Sequence, residues 1–168
     1  MTFYAELRPI NDNCVLEAMN VVDRALADFK KVGREPREAM NSFRDWLDTV
    51  TGRANPVFVG FNGTFDWAFV NFYLQHYLKE NPFGFGGIDI KSYYMGMIGC
   101  SWDETRSSKI AFDFKDPSPH THNALDDAIE QDRNISTNER TGTGQRIGLF
   151  HVVGFSIRLQ LPGQPNQR

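Results

Sequence analysis

Cysteine is scarce in this chain: Cys14 and Cys100 are the only two in 168 residues, and they form no Cys-x-x-Cys pair or Cys/His cluster at zinc spacing. A dense disulfide framework of the secreted kind is thereby excluded, and the expected setting is reducing and intracellular. Long apolar runs are also missing, since no stretch approaches the roughly 20 residues of a membrane span. The opening residues Met1-Thr2-Phe3-Tyr4-Ala5-Glu6 have no basic region, apolar run or cleavage site. The chain is therefore expected to be soluble and cytoplasmic, with no membrane partner. Basic charge is not in excess either: the formal net charge of −3 excludes the broad positive field that supports sequence-independent binding to long duplexes.

What is present is globular composition, 40% hydrophobic and 13% aromatic, in a chain the length of one domain. Residues 2–7 alternate loosely and stop at Arg8-Pro9, which predicts a short strand and a turn. Residues 13–29 carry Val15, Leu16, Met19, Val22 and Leu26 at spacings of three and four, which predicts a helix. Glu35-Pro36 opens a second helix whose buried face is marked by Met40, Phe43, Leu47 and Val50, with Gly52 ending it. The run 56–61 is apolar throughout, as in a strand buried on both faces. A deeply packed helix is expected over 65–79, stopped by Asn81-Pro82. A short strand at 88–90 and a helix at 92–98 complete an alternation that implies an α/β layered architecture. A further helix is expected at 123–131. Beyond Gln131 the chain turns polar over 132–146 and alternates over 155–161, which predicts a loop and a strand-like tail.

Two constellations could carry chemistry. In Gly60-Phe61-Asn62-Gly63-Thr64-Phe65-Asp66 an apolar strand turns at Asn-Gly and enters a helix with Asp66 in its first turn. A carboxylate is thus set at the carboxyl end of a strand, where open α/β sheets place ligands, although an Asp there also suits the positive end of a helix for purely structural reasons. In His122-Asn123-Ala124-Leu125-Asp126-Asp127-Ala128, Asn123 reads as an N-cap, Asp126 falls at the third helical position and Asp127 at the fourth. His122 stays on the entering loop, from which it and Asp127 can face one cleft. His120 lacks that fixed relation to Asp127.

Taken together and in this order, Asn-x-x-Phe-Asp and His-x-Ala-x-x-Asp-Ala resemble the second and third motifs of the DnaQ/RNase T-like 3′-5′ exonucleases, the DEDDh group of the ribonuclease H-like superfamily. Phe3-Tyr4-Ala5-Glu6-Leu7-Arg8-Pro9-Ile10 is similar to that family's third strand, and Ile88–Tyr94 to the stretch after its second motif. The resemblance implies an exonuclease-like domain over 1–131 with a ribonuclease H-like fold, acting on the 3′ end of single-stranded DNA or RNA. It also implies two Mg²⁺ or Mn²⁺ ions about 3.5–4 Å apart, held by oxygen ligands as hard cations require. Asp127 would hold the tighter metal, Asp66 the second mainly through water, and His122, with an unperturbed pKa of about 6.5, would be the general base. Asn62 and Phe65 would meet the substrate. For Phe65 and Trp67, stacking on bases competes with a place in the core.

The family's first motif, Asp-x-Glu on a central strand, occurs nowhere in this chain. Glu6 belongs to the segment similar to the third strand and cannot replace it. Three expectations follow. The sheet lacks its first two strands, the two-metal site is weakened, and the edge left on strand 57–61 is filled by the tail segment 150–161 or by a second copy of the chain. A catalytically inactive domain that binds nucleic acid or protein through the same cleft is the alternative reading, and a plain α/β domain with carboxylates as helix caps is the third.

Overall fold

The computed structural model describes residues 2–14 and 25–113. The site residues His122 and Asp127, the helix expected at 123–131 and the tail segment 150–161 lie outside them. The described part is mixed α/β: α1 (Leu26–Val32), α2 (Pro36–Thr51), β1 (Phe58–Gly60), α3 (Gly63–Tyr73), β2 (Gly87–Asp89), α4 (Ile90–Ile98) and α5 (Ser107–Asp113). No helix among the described residues is long and apolar enough to cross a membrane.

Helix α2 forms where its apolar spacing demands. Pro36 stands at its first position, Ala39, Met40, Phe43 and Leu47 are buried on one face, and Gly52 ends it at φ 58°. Phe43 is the hub of an aromatic chain: its ring lies 5.4 Å from Phe3, 5.8 Å from Trp46 and 6.2 Å from Phe83. Phe83 passes the contact on to Phe58 at 5.8 Å and Trp67 at 6.4 Å. One core thus joins the N-terminal segment, α2, β1 and α3, and truncating Phe43 to alanine would cost about 3–5 kcal/mol.

The run expected to be a buried strand is one, with Phe58, Val59 and Gly60 all buried. It pairs in parallel with β2 in the register Phe58↔Gly87, Val59↔Ile88 and Gly60↔Asp89. Gly87 is required at its place, because a β-carbon there would stand 2.8 Å from the Phe58 carbonyl oxygen and 2.9 Å from its ring. The connection from β1 to β2 runs through α3 and a widened π-helical turn, Leu74–Leu78, which ends at Lys79 in the left-handed conformation. Arg37 of α2 donates to the Tyr77 carbonyl at 2.5 Å, placing a cation at the negative end of that helix.

Three sequence expectations need correction. The helix expected over 13–29 does not run through Ala25, which is extended at φ −74° and ψ 147°, and α1 begins only at Leu26; residues 15–24 lie outside those described. Residues 2–7 do not form a strand: a single parallel bridge, Leu7↔Arg34, is the pairing found there among the described residues, closed by Arg8 N–H to the Arg34 carbonyl and Arg34 N–H to the Glu6 carbonyl, both 2.8 Å. Phe3, Ala5 and Leu7 nonetheless all pack on the core. What holds the segment is side-chain burial and one bridge to the turn after α1, not a strand edge. The second strand also begins one residue earlier than expected and yields at Asp89, which serves as the N-cap of α4.

Among the described residues the sheet has two strands, β1 and β2. Both run the same way, so Phe61 and Ile90 leave the sheet at the same carboxyl edge.

Candidate active site

That carboxyl edge is built from two tight approaches. Asn62 takes the left-handed conformation at φ 54° and ψ 42°, which asparagine tolerates better than most residues, and its carbonyl accepts from Phe65 N–H at 2.8 Å. The chain therefore reverses within two residues of β1 and α3 starts at Gly63. At that position a β-carbon would stand 3.3 Å from the Ile88 carbonyl oxygen and 3.4 Å from Asp89 Cα, so glycine lets the helix start sit directly on β2. Gly60 serves the same closeness, with a β-carbon there 3.1 Å from Gly63 Cα and 3.6 Å from Asp66 Oδ2.

Asp89 locks the arrangement. Its Oδ2 accepts from Gly63 N–H at 2.7 Å, and its Oδ1 accepts from Ser92 N–H at 2.8 Å and from Ser92 Oγ at 2.6 Å. A single carboxylate thus caps α3 and α4 together, across 26 residues of sequence. Sequence reading missed this role. The local half was available, because Asp89-Ile90-Lys91-Ser92 has the spacing of an N-cap and its third helical residue, but the bond to Gly63 depends on the parallel pairing.

Asp66 is the opposite case. It stands in the first turn of α3 with its carboxyl turned toward Gly60, and among the described residues it makes no hydrogen bond or ion pair. Burial alone pushes its pKa up from 3.8 to about 7, since nothing nearby stabilises the charged form. Asp89 spends its oxygens on helix N–H groups, and Asp66 keeps its own unspent. A half-buried carboxylate of this kind is costly and is the sort of group a cation would relieve.

Around it, Phe65 is 61% exposed, edge-on to Phe69 at 5.0 Å. Trp67 lies inward against the ring of Phe58 at 5.3 Å, so of the two aromatics weighed for stacking, Trp67 belongs to the core and Phe65 faces outward. Asn62 is exposed at the turn. Of the predicted site, the described residues therefore bring together Asp66, Asn62 and Phe65, while His122 and Asp127 lie outside them. Among the described residues no group of three or more His, Cys, Asp or Glu side chains is placed to hold a metal.

Comparison with known proteins decides the family. No protein-family model matches the chain. It is 42% identical over 130 residues to the 3′-5′ DNA exonuclease Cap18 of Escherichia coli, an alignment covering 77% of this chain and 70% of that protein. The chain belongs to the DnaQ-like 3′-5′ exonuclease family. The turn from β1 into α3 is the segment that resembled the second motif, and there the fold sets the Asp66 carboxylate, without an ion pair among the described residues, at the carboxyl edge of a parallel sheet.

Proposed function

We propose that the chain is a 3′-5′ exonuclease-type domain that hydrolyses phosphodiester bonds at the 3′ end of single-stranded nucleic acid by a two-metal mechanism. The observation that carries this reading is Asp66, a carboxylate that burial pushes up to a pKa of about 7, set at the sheet edge of an exonuclease-family chain with no hydrogen bond or ion pair among the described residues. Kinship to a protein named as a DNA exonuclease favours DNA over RNA.

The donor set suits Mg²⁺ or Mn²⁺, because Asp66 and Asp127 are carboxylates and the sequence offers no thiolate cluster. Bound there, such ions lower the pKa of water and neutralise charge developing on the phosphoryl oxygens. Asp127 and Asp66 would hold them, Asp127 the more tightly. His122, five residues before Asp127 in the sequence, takes the proton of the attacking water, a role suited to an imidazole, whose unperturbed pKa is about 6.5. Asn62 and Phe65 receive the terminal nucleotide, Phe65 through its exposed ring.

Charge counting sets the rate. With no Asp-x-Glu in the chain, two carboxylates face two dications, their repulsion is poorly screened, and metal binding is weak. Slow hydrolysis follows. The same observation favours the second reading, a domain that binds a strand without cutting it.

The test is trimming of a 5′-labelled single-stranded oligonucleotide in Mn²⁺. A ladder that shortens slowly from the 3′ end, abolished by Asp66→Asn and Asp127→Asn and strongly slowed by His122→Ala, is expected. A wild-type chain that binds the strand but leaves it intact would establish the second reading, and trimming undiminished in Asp66→Asn would remove Asp66 from the site.

A further inference from the structure

Lys91 is the second residue of α4 and leaves the carboxyl edge of β2 beside the turn that follows β1. Its Nζ lies 4.0 Å from the centroid of the Trp102 ring and 5.8 Å from that of Phe61. Among the described residues it enters no ion pair, so its charge is not consumed by a carboxylate. Asp89, two residues upstream, has its oxygens engaged by Gly63 and Ser92.

Trp102 is 50% exposed on a short 3₁₀ turn, Trp102–Glu104, that is fixed without any help from the indole. Glu104 folds back on Ser101, accepting from its N–H at 2.9 Å and its Oγ at 2.8 Å. The fully buried Thr105 donates its hydroxyl to the Trp102 carbonyl at 2.7 Å. Asp103 is exposed on the same turn, whereas the Glu104 carboxylate is turned away into its cap. A large aromatic held rigidly at the surface is a preorganised contact, and exposed cation–π contact, worth about 0.5–1 kcal/mol, is a small structural return for leaving it there.

We propose that Lys91, Trp102 and Phe61 form a binding site for single-stranded DNA, Lys91 taking a backbone phosphate and the indole taking the face of a base opposite the lysine. This rests on the exonuclease reading of the same sheet edge: Phe61 is the residue after β1 and begins the turn into the helix that carries Asp66 in its first turn. Aromatic faces with an adjacent cation are the means by which single strands are held without sequence preference. The site is small, which agrees with a chain of net charge −3 that grips a strand end and not a long duplex.

The experiment is fluorescence anisotropy with a 5′-labelled oligothymidylate in EDTA, which separates binding from cleavage. Trp102→Ala is expected to weaken binding about 5- to 150-fold, the range for loss of one stacked base. Lys91→Gln should reduce the slope of log affinity against log salt by about 0.7, and Lys91→Arg should restore it. Matching far-UV circular dichroism of variants and wild type shows that the fold is intact, and quenching of tryptophan fluorescence by the oligonucleotide should vanish in Trp102→Phe. Unchanged affinity in Trp102→Ala, or an unchanged slope in Lys91→Gln, overturns the site and leaves the surface to a protein partner. If the variants bind normally while the wild-type chain trims DNA, the site fails and the exonuclease reading stands. If the variants lose binding while no variant or wild-type chain trims DNA, the site stands and the catalytic reading fails. Absence of any binding by the wild-type chain overturns the site.

Discussion

Replacing Asp66 by asparagine should make the metal-free protein more stable. Burial alone lifts the Asp66 pKa from 3.8 to about 7, and each unit corresponds to about 1.4 kcal/mol, so holding this carboxylate ionised in the folded state costs at most about 4 kcal/mol. The carboxyl is half-buried, and water screens part of that cost, which leaves about 1–3 kcal/mol. The sign follows from proton counting. The folded chain keeps a proton on Asp66 where the unfolded chain has lost it, so the contribution of Asp66 to stability is greatest below about pH 4, falls between about pH 4 and 7, and levels off above. Asparagine has the same shape and does not titrate. Urea unfolding in EDTA should therefore find Asp66→Asn more stable than wild type by about 1–3 kcal/mol at pH 8, with the two converging near pH 4. A wild-type chain as stable as Asp66→Asn at pH 8, or a difference that does not close on acidification, would refute the reasoning that Asp66 is desolvated and unpaired. Stability given up at one carboxylate is the expected mark of a functional group.

Asp89→Ala removes the acceptor shared by Gly63 and Ser92 and should destabilise the chain by about 2–4 kcal/mol in urea unfolding, two helix caps being lost at once. Gly63→Ala should cost about 1–3 kcal/mol in the same assay, because a β-carbon would press within 3.3 Å of the Ile88 carbonyl oxygen; a neutral result would mean the helix start can shift. Phe65→Ser should change stability by less than about 1 kcal/mol, the ring being largely exposed, while weakening oligonucleotide binding measured by anisotropy.

Much of this architecture was legible because its signals are local. Met40, Phe43 and Leu47 recur at helical spacing and are the buried face of α2. The uninterrupted apolar run around Phe58, bounded by Pro56 and Gly60, has the form of a strand covered on both sides, and the Asn62-Gly63 turn then put Asp66 at its carboxyl edge. What failed was pairing. The loose alternation over 2–7 predicted a strand, but whether a segment finds a strand edge depends on what lies across from it, and among the described residues it finds only Arg34. Asp89 shows the same limit. Its cap on Ser92 is three residues away and readable, whereas its bond to Gly63 exists only because β1 and β2 are parallel and in register. Burial likewise decided between Phe65 and Trp67, which sequence spacing treats alike: the Trp67 ring meets Phe58 in the core, and Phe65 does not turn inward.

Direct observation of metal at Asp66 bears most closely on the catalytic reading. Electron paramagnetic resonance of free Mn²⁺ during titration of the chain at pH 8 should show weak binding that is reduced in Asp66→Asn, which keeps the tighter site at Asp127, and unchanged in Asp45→Asn, an exposed carboxylate on α2. Equal Mn²⁺ binding by wild type and Asp66→Asn would contradict the assignment of Asp66 as a metal ligand.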